Sequence, residues 1–170
     1  IHSSAVKSIL GVAEALFYRI RGTYKKVDLF IAPSRFLCSR VTADNRALFE
    51  GRTVVLHNFV HPKTRPADAK SSFDFPYIAF AGRLSEEKGT RILRDAAALL
   101  PSVQFVVMGS GPDEALLSGI PNVHLTGFVT GRELDTNLAM AEAVAVPSVC
   151  YENCPMSILE AQMLGVPCVT

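Results

Sequence analysis

The stretch Y-E-N-C-P-M-S-I-L-E-A-Q-M-L-G, residues 151–165, carries the strongest structural signal in this chain. It follows a short apolar run at 143–147 and holds two carboxylates, Glu152 and Glu160, on either side of Pro155. Proline favours the start of a helix, because its φ is already suitable and its missing N–H would have no acceptor there. The pattern predicts a strand, an acidic turn and a helix, which is a ligand-binding arrangement.

The start of this helix is predicted to bind phosphate. The amides of Met156, Ser157 and Ile158 are expected to be free, and the helix dipole favours an anion beside them. Seven residues lie between Glu152 and Glu160, so the two are eight positions apart, which on a helix is a rise of roughly 12 Å. The two carboxyls of a retaining glycosidase lie only about 5.5 Å apart. We therefore interpret them as contacts to a sugar and a ribose of one long ligand. On spacing alone, two exposed acids at a helix start remain the alternative.

A second motif, F-A-G-R-L-S-E-E-K-G at 80–89, predicts another phosphate-binding turn. The apolar run at 77–81 suits a buried parallel strand, and a helical pattern follows the turn. Arg83 and Lys88 flank the turn, and a guanidinium fork together with a compact ammonium group suits a diphosphate. For this motif alone, the alternative is a solvated turn in which the neighbouring glutamates pair with Lys88.

The G-x-G sequence at Gly109 and Gly111 raises the alternative of a dinucleotide-binding fingerprint. The third glycine of that fingerprint is absent, because Glu114 stands in its place. The motif also does not follow the first strand of the sheet. We assign both glycines to a tight turn before a helix at 112–118, and we set a nicotinamide-binding enzyme aside.

Composition excludes several classes of protein. Of the 170 residues, 49% are hydrophobic, which is enough for a core, and the net charge of +1 gives no electrostatic preference for nucleic acid. No apolar run reaches the roughly 18 residues of a membrane span. The cysteines and histidines lack metal-binding spacings, so we expect reduced thiols and no metal site. These residues are Cys38, Cys150, Cys154 and Cys168, and His2, His57, His61 and His124.

Alternating strand and helix patterns predict an α/β fold with a parallel sheet. Ahead of the sheet, a helix capped by Ser3 or Ser4 runs to about Gly22, and a proline-containing linker begins at His61. Between them we expect strands at 27–32 and 53–56 and a short helix at 35–49. The later strands are expected near 77–81, 103–108, 123–126, 143–147 and 167–170, and the later helices near 90–100, 112–118, 131–141 and 156–165.

Six segments together resemble the retaining glycosyltransferases of the GT-B type, the group 1 or family 4 class with two Rossmann-like domains. The resemblance covers nearly the whole chain and implies a GT-B fold, a Rossmann-like parallel sheet flanked by helices, truncated at both ends. It implies the end of an acceptor-side domain at 1–60, a linker at 61–75 and an incomplete donor-side domain at 76–170. The six segments are V-D-L-F-I-A-P-S (27–34), V-V-L-H-N-F-V (54–60), F-A-G-R-L-S-E-E-K-G (80–89), V-V-M-G-S-G-P (106–112), H-L-T-G-F-V (124–129) and A-V-P-S-V-C-Y-E-N-C-P-M-S-I-L-E-A (145–161).

The resemblance also implies roles for individual residues. Arg83 and Lys88 would bind the donor diphosphate, Glu152 the donor sugar and Glu160 the ribose. Arg83, Lys88 and Glu152 would be the catalytic residues. Asn58 lies at the domain cleft in the family, but here Phe59 follows it where a glycine is common. The implied donor contacts are Gly82, Arg83, Lys88, Phe128, Glu152, Asn153, Cys154, Pro155, Met156, Ser157, Ile158 and Glu160.

The implied function is transfer of a sugar, with retention, from a UDP- or GDP-type nucleotide-sugar to a hydroxyl of a sugar or lipid-linked acceptor. The resemblance implies polysaccharide or glycolipid synthesis in the cytoplasm, without metal or other cofactor and without a nucleic-acid partner. It leaves open a peripheral contact with the inner face of the membrane. The alternatives are a nucleotide-sugar-binding module, a GT-B epimerase and a phosphorylase. We expect the isolated chain to transfer no sugar, because the facing half of the cleft would be missing.

Overall fold

The computed structural model describes residues 5–62, 70 and 72–170. The chain divides between His57 and Asn58 into two compact units. The predicted helix cap at Ser3 or Ser4 and residues 63–69 and 71 of the predicted linker lie outside the described residues. The division into segments 1–60, 61–75 and 76–170 stays a prediction.

The first unit contains a long helix followed by a two-stranded parallel sheet with two short helices. Strands β1 and β2 pair in parallel, with Ile31 opposite Val54. No residue of α1 is buried. The elements are α1 (Ala5–Ile20), β1 (Phe30–Ala32), α2 (Arg35–Asp44), α3 (Arg46–Phe49) and β2 (Thr53–Val55), with a 3-10 turn at Thr23–Lys26.

The helix predicted at 35–49 is interrupted at one residue. Ser34 caps α2 by accepting a hydrogen bond from the Leu37 amide at 3.1 Å. Asn45 leaves the helical conformation, and its side chain caps α3 by accepting from the Leu48 amide at 3.2 Å. Asparagine competes for backbone donors in this way, so the single predicted helix becomes two.

The second unit is a five-stranded parallel sheet flanked by helices, and it confirms the predicted parallel α/β arrangement. The strand order is β5-β4-β3-β6-β7, so successive strands are added on one side of β3 and then on the other. The elements are β3 (Tyr77–Ala81), α4 (Thr90–Leu99), β4 (Gln104–Met108), β5 (Val123–Gly127), α5 (Gly131–Ala139), β6 (Ala143–Ala145), α6 (Met156–Met163) and β7 (Cys168–Val169), with 3-10 turns at Glu86–Lys88 and Glu114–Leu116.

Apolar cores cover both faces of this sheet. Along β3, Ala79 belongs to the core that includes Leu138 and Ala161, whereas Phe80 belongs to the core that includes Leu93. Successive side chains of a strand point to opposite faces, so α5 and α6 cover one face and α4 covers the other. The inner strands β3 and β4 are largely buried on both faces, as is typical of parallel sheets.

The helix predicted at 112–118 is wrong. This segment forms only the 3-10 turn Glu114–Leu116. The Asp113 amide donates to the Leu84 carbonyl at 3.1 Å, which ties the start of the segment to the loop after β3. Gly119 then turns the chain with a φ of 79°, which leaves room for only one turn between these two points.

No helix in the described part of the chain is both long enough and apolar enough to cross a membrane.

Candidate functional site

A cavity of about 790 Å³ lies in the second unit, beyond the carboxyl ends of the strands. Its walls come from the loops after β3, β4, β5 and β6 and from the start of α6. The strand order changes direction between β3 and β6, and a crevice at such a switch point is where open α/β sheets bind ligands. Every predicted contact residue except Ile158 lines this cavity.

An ion pair connects the two predicted motifs across the cavity. Lys88 Nζ lies 2.6 Å from Glu152 Oε1, and the lysine and glutamate side chains are 34% and 20% exposed. Lys88 stands at the end of the 3-10 turn Glu86–Lys88, which Gly89 closes with a φ of 74°. The alternative pairing of Lys88 with its neighbouring glutamates is therefore wrong, although Arg83, Glu86 and Glu87 are exposed.

Ser148, which sequence reasoning missed, supports the same carboxylate. Its hydroxyl donates a hydrogen bond to Glu152 Oε1 at 2.6 Å. Both short bonds reach one oxygen, and within the described part of the chain Oε2 has no hydrogen bond. A polar residue directly after an apolar strand was the only sequence signal for Ser148.

The electrostatic balance keeps Glu152 ionised. Burial by itself raises the pKa of this carboxyl, but the hydrogen bonds from Lys88 and Ser148 and the charge of Lys88 together hold the pKa below its ordinary value. An ionised carboxylate at neutral pH accepts hydrogen bonds and has no proton to donate. Glu152 can therefore hold hydroxyl groups but is badly placed to act as a general acid.

The start of α6 offers two free amides. Pro155, with a φ of −66°, stands one position ahead of the first helical residue. Among the described residues, no acceptor bonds the amides of Met156 and Ser157, so the prediction of free amides at these two positions agrees with the structure. The same prediction for Ile158 is wrong, because its amide donates to the Pro155 carbonyl at 3.2 Å.

Cys154 has a left-handed backbone conformation inside this loop. Its φ of 90° is the only positive φ of a non-glycine residue in the part of the chain that the structure describes. Such a conformation is costly for a residue with a Cβ atom and is often found at functional sites. The side-chain amide of Asn58 donates to the Cys154 carbonyl at 3.2 Å, a contact that motif reasoning did not anticipate.

Gly109 and Gly111 let two loops of the cavity approach each other closely. A Cβ atom on Gly109 would lie 1.8 Å from the Gly82 carbonyl oxygen, and one on Gly111 would lie 2.1 Å from the Leu84 carbonyl oxygen. The Leu84 amide donates to the Ser110 carbonyl at 3.0 Å, which holds the loops together. The predicted turn is therefore also a packing contact, and it forms one wall of the cavity.

Within the described ranges, no group of three or more histidine, cysteine, aspartate or glutamate side chains could hold a metal ion. All four cysteines carry free thiols.

The five-stranded parallel sheet flanked by helices is a Rossmann-like unit of the GT-B type. Residues 75–170 match the family model described as glycosyl transferases group 1, and the chain belongs to this family. A curated relative, the GDP-mannose-dependent alpha-mannosyltransferase of Corynebacterium glutamicum, is 32% identical over 114 residues, covering 64% of this chain and 27% of the relative. The chain thus spans about a quarter of that relative's length.

Solved structures agree with this fold. HepE of Anabaena in complex with UDP-glucose matches with a TM-score of 0.69 and 25% identity, covering 83% of this chain and 44% of HepE. The sucrose-phosphate synthase of Thermosynechococcus elongatus matches with a TM-score of 0.70 and 23% identity, covering 85% of this chain and 41% of the synthase. The GT-B fold predicted from the sequence motifs is confirmed.

Proposed function

We propose that the cavity of the second unit binds the nucleotide-sugar donor of a glycosyltransferase. The observation that carries this proposal is the convergence of two cations, two carboxylates and two free helix amides on one cavity. Arg83 and Lys88 suit a diphosphate, and so do the amides of Met156 and Ser157. Family membership and the donors named for two similar proteins, GDP-mannose and UDP-glucose, support a UDP- or GDP-type donor.

In the proposed reaction, the sugar leaves its nucleoside diphosphate and passes to an acceptor hydroxyl. Negative charge then develops on the leaving phosphate, and preorganised donors that face this charge lower the barrier. Arg83, Lys88 and the two α6 amides would supply them. Phosphate oxygens would compete with Glu152 for Lys88, since both are anionic acceptors for the same ammonium group.

Glu152 is proposed to position the donor sugar rather than attack it. Its Oε1 accepts a hydrogen bond of 2.6 Å from Ser148, and sugar hydroxyls bonded to the rest of the carboxylate would make it a poorer nucleophile. Asn153, Cys154 and Pro155 would border the same sugar, Gly82 the phosphates and Phe128 the base. Glu160, about one turn along α6 from its start, would accept bonds from the ribose hydroxyls.

Retention of anomeric configuration, the acceptor and the pathway rest on the family resemblance. We propose a sugar or lipid-linked acceptor in polysaccharide or glycolipid synthesis, at the cytoplasmic side of a membrane. We also propose that transfer needs no metal ion. Transfer by the complete gene product should then survive EDTA, and NMR of the product should show the anomeric configuration of the donor.

The donor site is tested by titrating this chain with UDP, GDP and ADP in a calorimeter. We expect saturable binding of at least one, and a loss of at least about tenfold in Arg83→Ala and Lys88→Ala, the size typical of hydrogen bonds to charged groups. Arg91→Ala is the matched control, because Arg91 is exposed on α4 and does not line the cavity. No binding of any diphosphate, or wild-type affinity in Arg83→Ala, would overturn the proposal.

Catalysis is tested in the complete gene product. Arg83→Ala should lower kcat/KM by at least about tenfold, because charge stabilisation is lost at the leaving phosphate. For this 170-residue chain by itself we propose donor binding without transfer, since it spans about a quarter of the curated relative. Release of free nucleotide with no acceptor present would instead favour an epimerase.

A further inference from the structure

Asn58 makes a contact that the proposed donor chemistry does not use. It is the first residue of the second unit, and its side-chain amide reaches the Cys154 carbonyl across 96 positions of sequence. Asn58 does not line the cavity, whereas Cys154 does. The contact therefore acts on the wall of the site from outside.

The backbone of the loop changes direction at Cys154, which has a positive φ. On its N-terminal side, Glu152 is held by Lys88 and Ser148. On its C-terminal side, the ring of Pro155 restricts φ, which is −66°, and α6 begins at the next residue. The φ of 90° at Cys154 is thus one of the torsions that orient the sugar-side carboxylate relative to the free amides of α6.

A cysteine does not favour this conformation by itself. Glycine adopts positive φ without steric cost, whereas a Cβ atom disfavours it. Within the described residues, the donor that bonds the Cys154 carbonyl is the side-chain amide of Asn58. That bond favours the observed orientation of the peptide between Cys154 and Pro155 over relaxed alternatives.

We propose that Asn58 is a positioning residue of the donor site. Its side-chain amide holds Cys154 in the left-handed conformation and thereby aligns Glu152 with the amides of Met156 and Ser157. This inference rests on the proposed function, because those groups are the ones assigned to the donor.

The first test needs no ligand. A positive φ brings a residue's own amide and α protons close together, so Cys154 should give a strong intraresidue NOE in the wild-type chain. The NOE should weaken in Asn58→Ala and in Asn58→Asp, which keeps the side-chain shape but removes the donor. Phe59→Ala is the matched control, since Phe59 is 75% exposed, and it should keep the signal. An unchanged NOE in both Asn58 variants would overturn the positioning role.

The second test is a double-mutant cycle, read out by calorimetry with UDP, or with GDP or ADP if the wild-type chain binds that diphosphate best. Asn58→Ala should weaken binding by about two- to tenfold, the range for one net hydrogen bond. The same substitution should have a smaller effect in a Cys154→Gly background, because glycine accepts the conformation unaided. There, the change in the logarithm of Kd caused by Asn58→Ala should be less than about half of its value in the wild-type background. Equal losses in both backgrounds would show a merely structural role and would overturn the inference.

The two proposals fail in different ways. A wild-type chain that binds none of the three diphosphates overturns the donor site, and the NOE then decides by itself whether Asn58 controls Cys154. A chain that binds a diphosphate with an Asn58-independent affinity and NOE keeps the donor site and loses the positioning residue.

Discussion

Lys88 Nζ lies 2.6 Å from Glu152 Oε1, and this ion pair joins the loop after β3 to the loop after β6. The two residues are 64 positions apart in sequence. They meet because β3 and β6 are neighbours in the sheet, and parallel neighbours end at the same edge. The pair therefore holds together the turn proposed to bind the diphosphate and the loop proposed to bind the sugar.

Ser148→Ala should raise the pKa of Glu152 towards its ordinary value. The substitution removes one of the hydrogen bonds that oppose the effect of burial on this carboxyl. A 13C NMR titration of the glutamate side chains measures the change directly. Ser148→Thr keeps a hydroxyl at the position and should titrate like the wild-type chain, while an unchanged pKa in Ser148→Ala would refute the role of Ser148.

The contribution of Glu152 to stability should depend on pH. Because its pKa is lowered in the folded chain, the contribution is fully present above the ordinary glutamate pKa of about 4.3 and is lost as pH falls through the lowered folded pKa. Thermal unfolding of wild-type and Glu152→Gln chains should therefore differ at pH 7, and the difference should shrink as the pH falls through the lowered folded pKa.

A Lys88→Gln background tests whether the ion pair with Lys88 causes this pH dependence of stability. Without the ammonium group, Glu152→Gln should lose most of its pH-dependent effect on Tm, because one of the hydrogen bonds and the opposite charge are already gone. A pH dependence of unchanged size in that background would mean that another partner controls Glu152.

Glu160→Ala should weaken UDP binding by about tenfold or more, because a charged acceptor for the ribose hydroxyls is lost. Inorganic pyrophosphate lacks the ribose, so its affinity should stay within about twofold. Competition calorimetry with both probes measures the difference. Gln162→Ala, an exposed position on the same helix, is the control, and equal losses for both probes would contradict a ribose contact.

Gly109→Ala should destabilise the second unit by about 3 kcal/mol or more, since overpacking against rigid backbone is not easily relieved. A Cβ atom there would lie 1.8 Å from the Gly82 carbonyl oxygen. Gly82→Ala is the matched comparison, because its nearest neighbour would be the Phe80 ring at 3.5 Å, an ordinary contact. Urea denaturation should separate the two variants, and equal midpoints would argue against the close approach of these loops.

Local patterns predicted the fold class and most of the element order. The run at 77–81 became β3 (Tyr77–Ala81) to the residue, because a strand buried on both faces is continuously apolar. The helix predicted at 112–118 failed because its ends are held by Leu84 and turned by Gly119. Contacts with other parts of the chain determined the conformation of that segment, and the periodicity of the sequence does not reveal such contacts.

By itself, the sequence determined which groups follow the strands: Arg83, Lys88 and Glu152 in the loops, Pro155 just before α6 and Glu160 within α6. These depend on residue type and local order, which short-range sterics and helix-terminus chemistry control. Only the tertiary structure decided that Lys88 pairs with Glu152 instead of its neighbouring glutamates, and that Asn58 reaches Cys154. Those partners come from strand order and loop packing, which bring together residues that no local pattern connects.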